Sequence, residues 1–490
     1  MGLFYSGKVP GANSRRKTTW APHYTIHKTL MGLVDACRYA GNEEALAILK
    51  QAANWFYRWT GQFNREQMDD ILDFETGGML EVWADLYGFT GEASHLELLQ
   101  RYTLHRLFEQ LLAGKDVLTN MHANTSIPKV LGAARAYEVT GDERWLNIVE
   151  AYWKWAVDER GYFCTGGQTS GAIWTPPFEF AARRGDKNQE HCTVYNMIRL
   201  ADFLFRQTGD PKYTDYSERN LYNGILAQQN GRTGMITYFL PLEAGGRKRW
   251  GSPTNDFWCC HGSLVQAHTL HNAYIFYRGD RAVTVAQYIP SQLETELNSV
   301  PVSLELERES NGSIAAADDN ASSAGSPHRP KCWTVRLKIS CEQPHEFSLQ
   351  LRLPWWMQGQ AILTLNREAQ QVEGTAPGFC KITHTWHNDT LTLVLPKGLA
   401  VSPIPDEPET VAFLDGPVVL AGLCDKEVRL SGDKNKPENI LVADNERQWR
   451  DWLPGYRTVG QPYSIRFKPL YEVEDEIYSV YFPLTSDDLA

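Results

Sequence analysis

Nowhere in the 490 residues is there an uninterrupted apolar run of the roughly eighteen residues that a membrane-spanning helix needs. The N-terminal stretch MGLFYSGKVPGANSRRK has no basic start followed by an apolar core, so no secretory signal is expected and the chain reads as cytoplasmic. No long basic stretch offsets the net charge of -11, which argues against nucleic acid as a partner. The nine cysteines (37, 164, 192, 259, 260, 332, 341, 380 and 424) are odd in number and lack framework spacing. A disulfide scaffold is therefore not expected, and a reducing compartment is.

What remains is an ordinary water-soluble composition, 42% hydrophobic and 22% charged, with mean hydropathy -0.41. The length suggests about two to four domains. Aromatic residues are plentiful, with 16 Trp, 22 Tyr and 19 Phe. Most belong in cores, but aromatic faces also suit the apolar faces of sugar rings.

An internal repeat emerges when helix-stop signals are aligned. Gly41, Gly91, Gly141, Gly209 and Gly279 each follow an apolar-periodic segment, at spacings of 50, 50, 68 and 70 residues. The positions four and five before each glycine are apolar every time, and Asn, Glu or Asp follows it. A period near fifty residues holding two helices signals stacked helical hairpins. Over residues 1–282 this predicts a closed (α/α)6 barrel. From residue 283 to 490 the segments become short, β-branched and alternating, as in TVRLKIS, FSLQLRLP and TLTLVLP, which predicts an all-β sandwich region. Residues 309–329, rich in Ser, Ala, Asn and Gly, read as a long surface loop.

Counting back 14 to 20 residues from each glycine reaches the start of the helix that the glycine ends. Those starts carry His23 and His27, Asp73 and Glu75, His122 and Asn124, Glu190 and Cys192, and Cys259 and Cys260. Asp and Asn are common helix caps. In a toroid, however, equivalent ends of the inner helices converge on one rim, so this recurrence points to a site. Glu190, Cys192, Cys259 and Cys260 supply three thiols and a carboxylate, a donor set for tetrahedral zinc. Vicinal Cys259 and Cys260 are poor candidates for a disulfide, because the ring would be strained. A zinc-held thiolate is also a nucleophile, whereas a zinc with four protein ligands can be purely structural. Both readings stay open on spacing alone.

The segments NQEHCTVYNMIRLADFLFRQTGD, SERNLYNGILAQQ, ITYFLPL and WCCHGS, in this order, resemble glycoside hydrolase family 127, whose founding activity is β-L-arabinofuranosidase. FETGGMLEVWADLY and MHANTSIPKVLG extend the likeness, which runs from about Trp20 to the end. The resemblance implies an (α/α)6 barrel, β-sandwich domains and a retaining mechanism with a cysteine nucleophile. It would make Cys259 that nucleophile and a Zn2+ ligand, beside Glu190, Cys192 and Cys260. Glu218, Tyr238 and His122 match positions lining the family's sugar pocket, and His27 and Glu75 are expected there from the repeat. The substrate implied is a small oligosaccharide or glycoside ending in β-L-arabinofuranose or a similar plant cell-wall sugar.

Two departures stand out. Where the family carries its acid/base glutamate, this chain has Ala172, so an inactivated variant is expected unless Glu179 or Asp186 of the same loop is recruited. The barrel also starts late, so an N-terminally shortened first hairpin, and with it a homodimer, is expected. Alternatives from other classes are a non-catalytic zinc-containing sugar-binding protein and an (α/α)6 polysaccharide lyase or hydratase.

Overall fold

The computed structural model describes residues 21–309, 329, 331–448 and 451–485. The expected shortening ahead of residue 21, and nearly all of the loop expected at 309–329, lie outside the described residues. The chain divides into two compact units, residues 1–161 with 172–178 and residues 162–171 with 179–490.

The first unit is helical: α1 (Pro22–Ala40), α2 (Glu43–Thr60), α3 (Arg65–Leu72), α4 (Met79–Thr90), α5 (Ala93–Arg101), α6 (His105–Leu112), α7 (Ala123–Thr140) and α8 (Glu143–Trp153). Helices α1, α4 and α7 pack side by side, while α2, α5 and α8 lie against them as the second members of hairpins. The sequence explains this division. Every residue of α4 from Met79 to Leu86 is buried, so that helix is enclosed on all sides. Helix α2 buries one stripe, Ala45, Leu49, Ala53 and Phe56, and turns its charged face outward.

The repeat is real at four of its five glycines. Gly41, Gly91, Gly141 and Gly209 have φ of 60°, 64°, 68° and 69°. Each donates its N–H to the carbonyl four residues back: Cys37, Tyr87, Tyr137 and Phe205. The recurrent apolar position of the sequence pattern is thus the acceptor of the helix-ending hydrogen bond. Asn42, Asp142 and Asp210 cap the next helix with their side chains, whereas Glu92 makes no such cap. Gly279 does not end a helix. It sits in a tight turn between strands Phe276–Arg278 and Ala282–Val285, its N–H donating to Ala282 O at 2.8 Å. Its flanking residues resemble the other repeats only in composition.

The second unit contains α9 (His191–Thr208), α10 (Pro211–Asn220) and α11 (Cys259–Leu270), with α10 and α11 both packed on α9. Its β-region begins at Phe276, just ahead of the expected boundary. One eight-stranded sheet is built on two long strands, Cys332–Leu353 and Gly378–Pro396, paired antiparallel. TVRLKIS and FSLQLRLP, which read as separate strands, are one continuous strand. Alternate residues Val335, Leu337, Leu349, Leu351 and Leu393 form its core. A second eight-stranded sheet runs over Leu399–Thr485, centred on Glu407–Asp415. No helix among the described residues is long and apolar enough to cross a membrane.

Candidate active site and metal centre

Two helix starts build the thiol cluster. Strand Asn188–Glu190 pairs with Phe239–Leu240, which brings Tyr238 beside Glu190, and Glu190 immediately precedes α9 without a side-chain cap bond. Gln189, between them, adopts a left-handed φ of 47°. Its side chain packs so closely on Gly167 and Gly224 that a Cβ at either would lie 2.7 Å from it. Those two glycines therefore leave the room that holds the strand-to-helix turn. Cys192 follows in the first turn of α9, and Cys259 and Cys260 open α11. The His261 ring caps α11, accepting from Trp258 N–H at 3.2 Å.

The four donors converge. Cys192 Sγ lies 3.5 Å from Cys260 Sγ, and Cys259 Sγ is 4.0 Å from Cys260 Sγ and 3.9 Å from Glu190 Oε1. All four ligand atoms fall within 4.8 Å of one another. Thiolates about 2.3 Å from a tetrahedral zinc stand roughly 3.8 Å apart, so the separations suit that ion. Glu190, Cys192 and Cys260 are 1%, 2% and 0% exposed, while Cys259 is half-buried.

Electrostatics make the same point. Its hydrogen bond with Cys259 and then burial push the Cys192 thiol well above its usual range. Burial, then Cys192 and Cys259, do the same to Cys260. Burial, Glu190 and Cys259 push the Tyr238 phenol up. Acids crowded together cannot all ionise, and a divalent ion among them would reverse each of these pressures. Both helix starts also direct partial positive charge at the cluster, which favours thiolate. The donor set and its spacing therefore fit a metal ion such as zinc on Glu190, Cys192, Cys259 and Cys260.

Two neighbours complete the cluster. Tyr238 OH lies 3.3 Å from Glu190 Oε1 and 3.7 Å from Cys259 Sγ. Ser263 Oγ donates to Cys192 Sγ at 3.1 Å. Sequence reasoning passed over Ser263, although its place one turn after Cys259 in WCCHGS was the available signal. Glu218 has a different setting. Its carboxylate is 1% exposed, with Oε1 2.5 Å from Arg352 Nη2 and Oε2 accepting from Trp356 Nε1 at 2.7 Å. That buried ion pair ties α10 to the β-region and engages both carboxylate oxygens. Glu179 is exposed and Asp186 half-buried, and they face Arg183 and Arg249 at 3.7 Å.

In the first unit, Glu75 and His122 meet. His122 Nδ1 is 3.7 Å from Glu75 Oε1, and Thr125 Oγ1 donates to Glu75. His122 caps α7, its Nδ1 accepting from Thr125 N–H at 3.2 Å. The buried His27 ring lies against the backbone of Gly77 and Gly78, where a Cβ would approach it to 2.8 and 2.7 Å. Lys129 is buried beneath, its Nζ reaching Phe74 O at 3.4 Å. Burial pushes its ammonium down to about 8, against the pull of Glu75 and Asp73. Ala172 is fixed next to His122, its carbonyl accepting from Ala123 N–H at 2.9 Å, with φ of 65°. Two rim candidates are something else: His23 is a buried core ring bonded to Tyr102 OH at 3.1 Å, and Asp73 pairs with Arg106 at the surface.

The profile of the β-L-arabinofuranosidase GH127 catalytic domain matches residues 4–273, and that of the GH127 middle domain matches residues 282–397. The chain belongs to glycoside hydrolase family 127. This GH127 chain is similar to a solved GH127 β-L-arabinofuranosidase from Geobacillus stearothermophilus T6, at TM-score 0.70 and 20% identity, covering 98% of this chain and 83% of that one. It is also similar to a second GH127 β-arabinofuranosidase, at TM-score 0.74 and 17% identity, covering 95% and 77%. No curated protein matches it by sequence. The expected fold class, a helical (α/α)6 region followed by β-rich domains, is the GH127 fold.

Proposed function

We propose that this GH127 chain carries the site of a retaining exo-glycosidase for terminal β-L-arabinofuranose, with Cys259 as nucleophile and the acid/base position emptied by Ala172. The observation that supports Cys259 is its exposure: it is the one member of the donor cluster that is not fully buried. When bound, zinc supplies the positive charge that keeps the cluster's thiols deprotonated near neutral pH.

The Cys259 sulfur attacks the anomeric carbon, forming an S–C bond as the glycosidic C–O bond breaks. Water then displaces the sulfur, regenerating the thiolate and releasing the sugar with retained configuration. Tyr238 OH, within reach of Cys259, steadies the sulfur's negative charge. His27, Glu75 and His122 are proposed to hold the sugar. The departing oxygen needs a proton, and the methyl group of Ala172 has none to give, which costs a factor of about 10² to 10⁴.

The test is Ala172→Glu with an alkyl β-L-arabinofuranoside, whose leaving group depends on protonation. Turnover should rise by about 10² or more, with a smaller gain on an aryl glycoside whose phenolate leaves unaided. Equal, small rates in both forms would overturn the assignment. Iodoacetamide labelling of Cys259 should then abolish the restored activity. An unsaturated product and indifference to that label would instead indicate a lyase. Ala172 itself favours a second reading, a zinc-containing sugar-binding protein, which predicts a thermal shift with L-arabinose and no turnover in Ala172→Glu.

A further inference from the structure

Within the second unit a cavity of about 270 Å³ lies among residues that the glycosidase reading does not use. Its size suits one small ring. Three cations line it, Arg308, Arg329 and Lys397, against two carboxylates, Asp415 and Glu472. Asp415 is shared: Lys397 Nζ is 2.5 Å from Oδ1 and Arg329 Nη2 is 3.6 Å from Oδ2. One positive charge is therefore in excess.

The two arginines are held in place from behind. The Arg308 guanidinium lies 4.3 Å over the Trp333 ring, and its Nη1 donates to Tyr222 OH at 2.6 Å. No carboxylate among the described residues pairs with Arg308. Arg329, with a side chain 7% exposed, lies 4.2 Å over Tyr456 and donates from Nη1 to Leu453 O at 2.9 Å. Its buried Nη2 makes no hydrogen bond among the described residues. Planar, pre-oriented guanidinium groups with a spare donor suit a carboxylate. The remaining wall is apolar and aromatic, with Trp452, Tyr471, Pro454 and Pro469, and a bare inorganic anion would leave that wall unused.

We propose that this cavity is a non-catalytic subsite for a uronic acid residue, its carboxylate on Arg308 and Arg329 and its ring against the aromatic wall. In a saccharide that carries both arabinofuranose and uronate, such a subsite retains the acidic part. The inference is independent of the glycosidase reading, because none of the residues it uses belongs to that site.

Calorimetric titration of the full chain tests it. D-Galacturonate should bind at least tenfold more tightly than D-galactose, and equal affinities would overturn the proposal. Inorganic phosphate should bind more weakly than galacturonate, whereas equal or tighter binding would make this a plain anion site and also overturn it. Arg308→Gln should weaken galacturonate at least tenfold, and an unchanged affinity in a variant that melts normally counts against the subsite. The first two comparisons need no variant, so they decide the matter even where Arg308→Gln misfolds.

Discussion

The cluster at the starts of α9 and α11 and the one formed by the loop before α4 and the start of α7 differ in how their charge is balanced. In the first, burial and the neighbouring acids hold the protons on Cys192, Cys260 and Tyr238. Glu75 and His122 have the Lys129 ammonium buried with them. One cluster has the donor set for a metal ion, and the other lies beside a buried lysine. The two clusters therefore suit different chemistry, because their side-chain charge differs.

The largest effect that sharpens this contrast is Cys260→Ser. It should abolish bound zinc, measured by metal analysis, and cost about 5 kcal/mol or more, part of the roughly 10–16 kcal/mol that structural zinc contributes elsewhere. Retention of a full equivalent of zinc would break the comparison. Lys129→Met addresses the other side. Unfolded lysine keeps its proton to about 10.5 but folded Lys129 releases it at about 8, so between these values the unfolded chain binds more protons. The stability cost of the buried ammonium is present in full below pH 8 and is relieved as pH rises. Stability of the parent relative to Lys129→Met should therefore increase by up to about 3 kcal/mol between pH 8 and 10.5, measured by denaturation.

A smaller effect is expected from Tyr238→Phe in the Ala172→Glu background. Loss of the hydroxyl beside Cys259 should lower turnover about tenfold with bound zinc unchanged. The smallest concerns the repeat. Gly141→Ala should cost about 1 kcal/mol, because its cap needs a positive φ. Gly279→Ala should cost close to nothing, because its φ is not positive and a Cβ there would meet only Ala282, at 3.8 Å or more. Equal costs would undo the distinction between the four true helix stops and the fifth glycine.

The cluster of Glu190, Cys192, Cys259 and Cys260 was readable in advance, because its residues lie in two short motifs whose side chains have few other uses. Vicinal thiols plus Glu-x-Cys constrain the answer even without geometry. Glu218 shows the opposite case. Its motif suggested a sugar contact, and only the fold shows Arg352, 134 residues away in sequence, taking its carboxylate. Gly279 misled for a related reason, since a Gly-Asp pair after aromatics suits a helix end and a hairpin turn equally well. Lys129 was overlooked because a single lysine in a helical motif gives no sign that it is buried.

The sequence by itself determined the change from helical to β architecture near residue 280, four of the helix stops and the four metal-ligand candidates. These depend on local periodicity, on the φ that glycine alone adopts readily, and on residue chemistry, all of which are written along the chain. Tertiary structure alone decided which carboxylates are free, which cations are buried, that Cys259 is the member of its cluster left half-buried, and that Arg308 and Arg329 share one cavity. Those properties depend on desolvation and on charges brought together across long stretches of chain, and no local pattern encodes them.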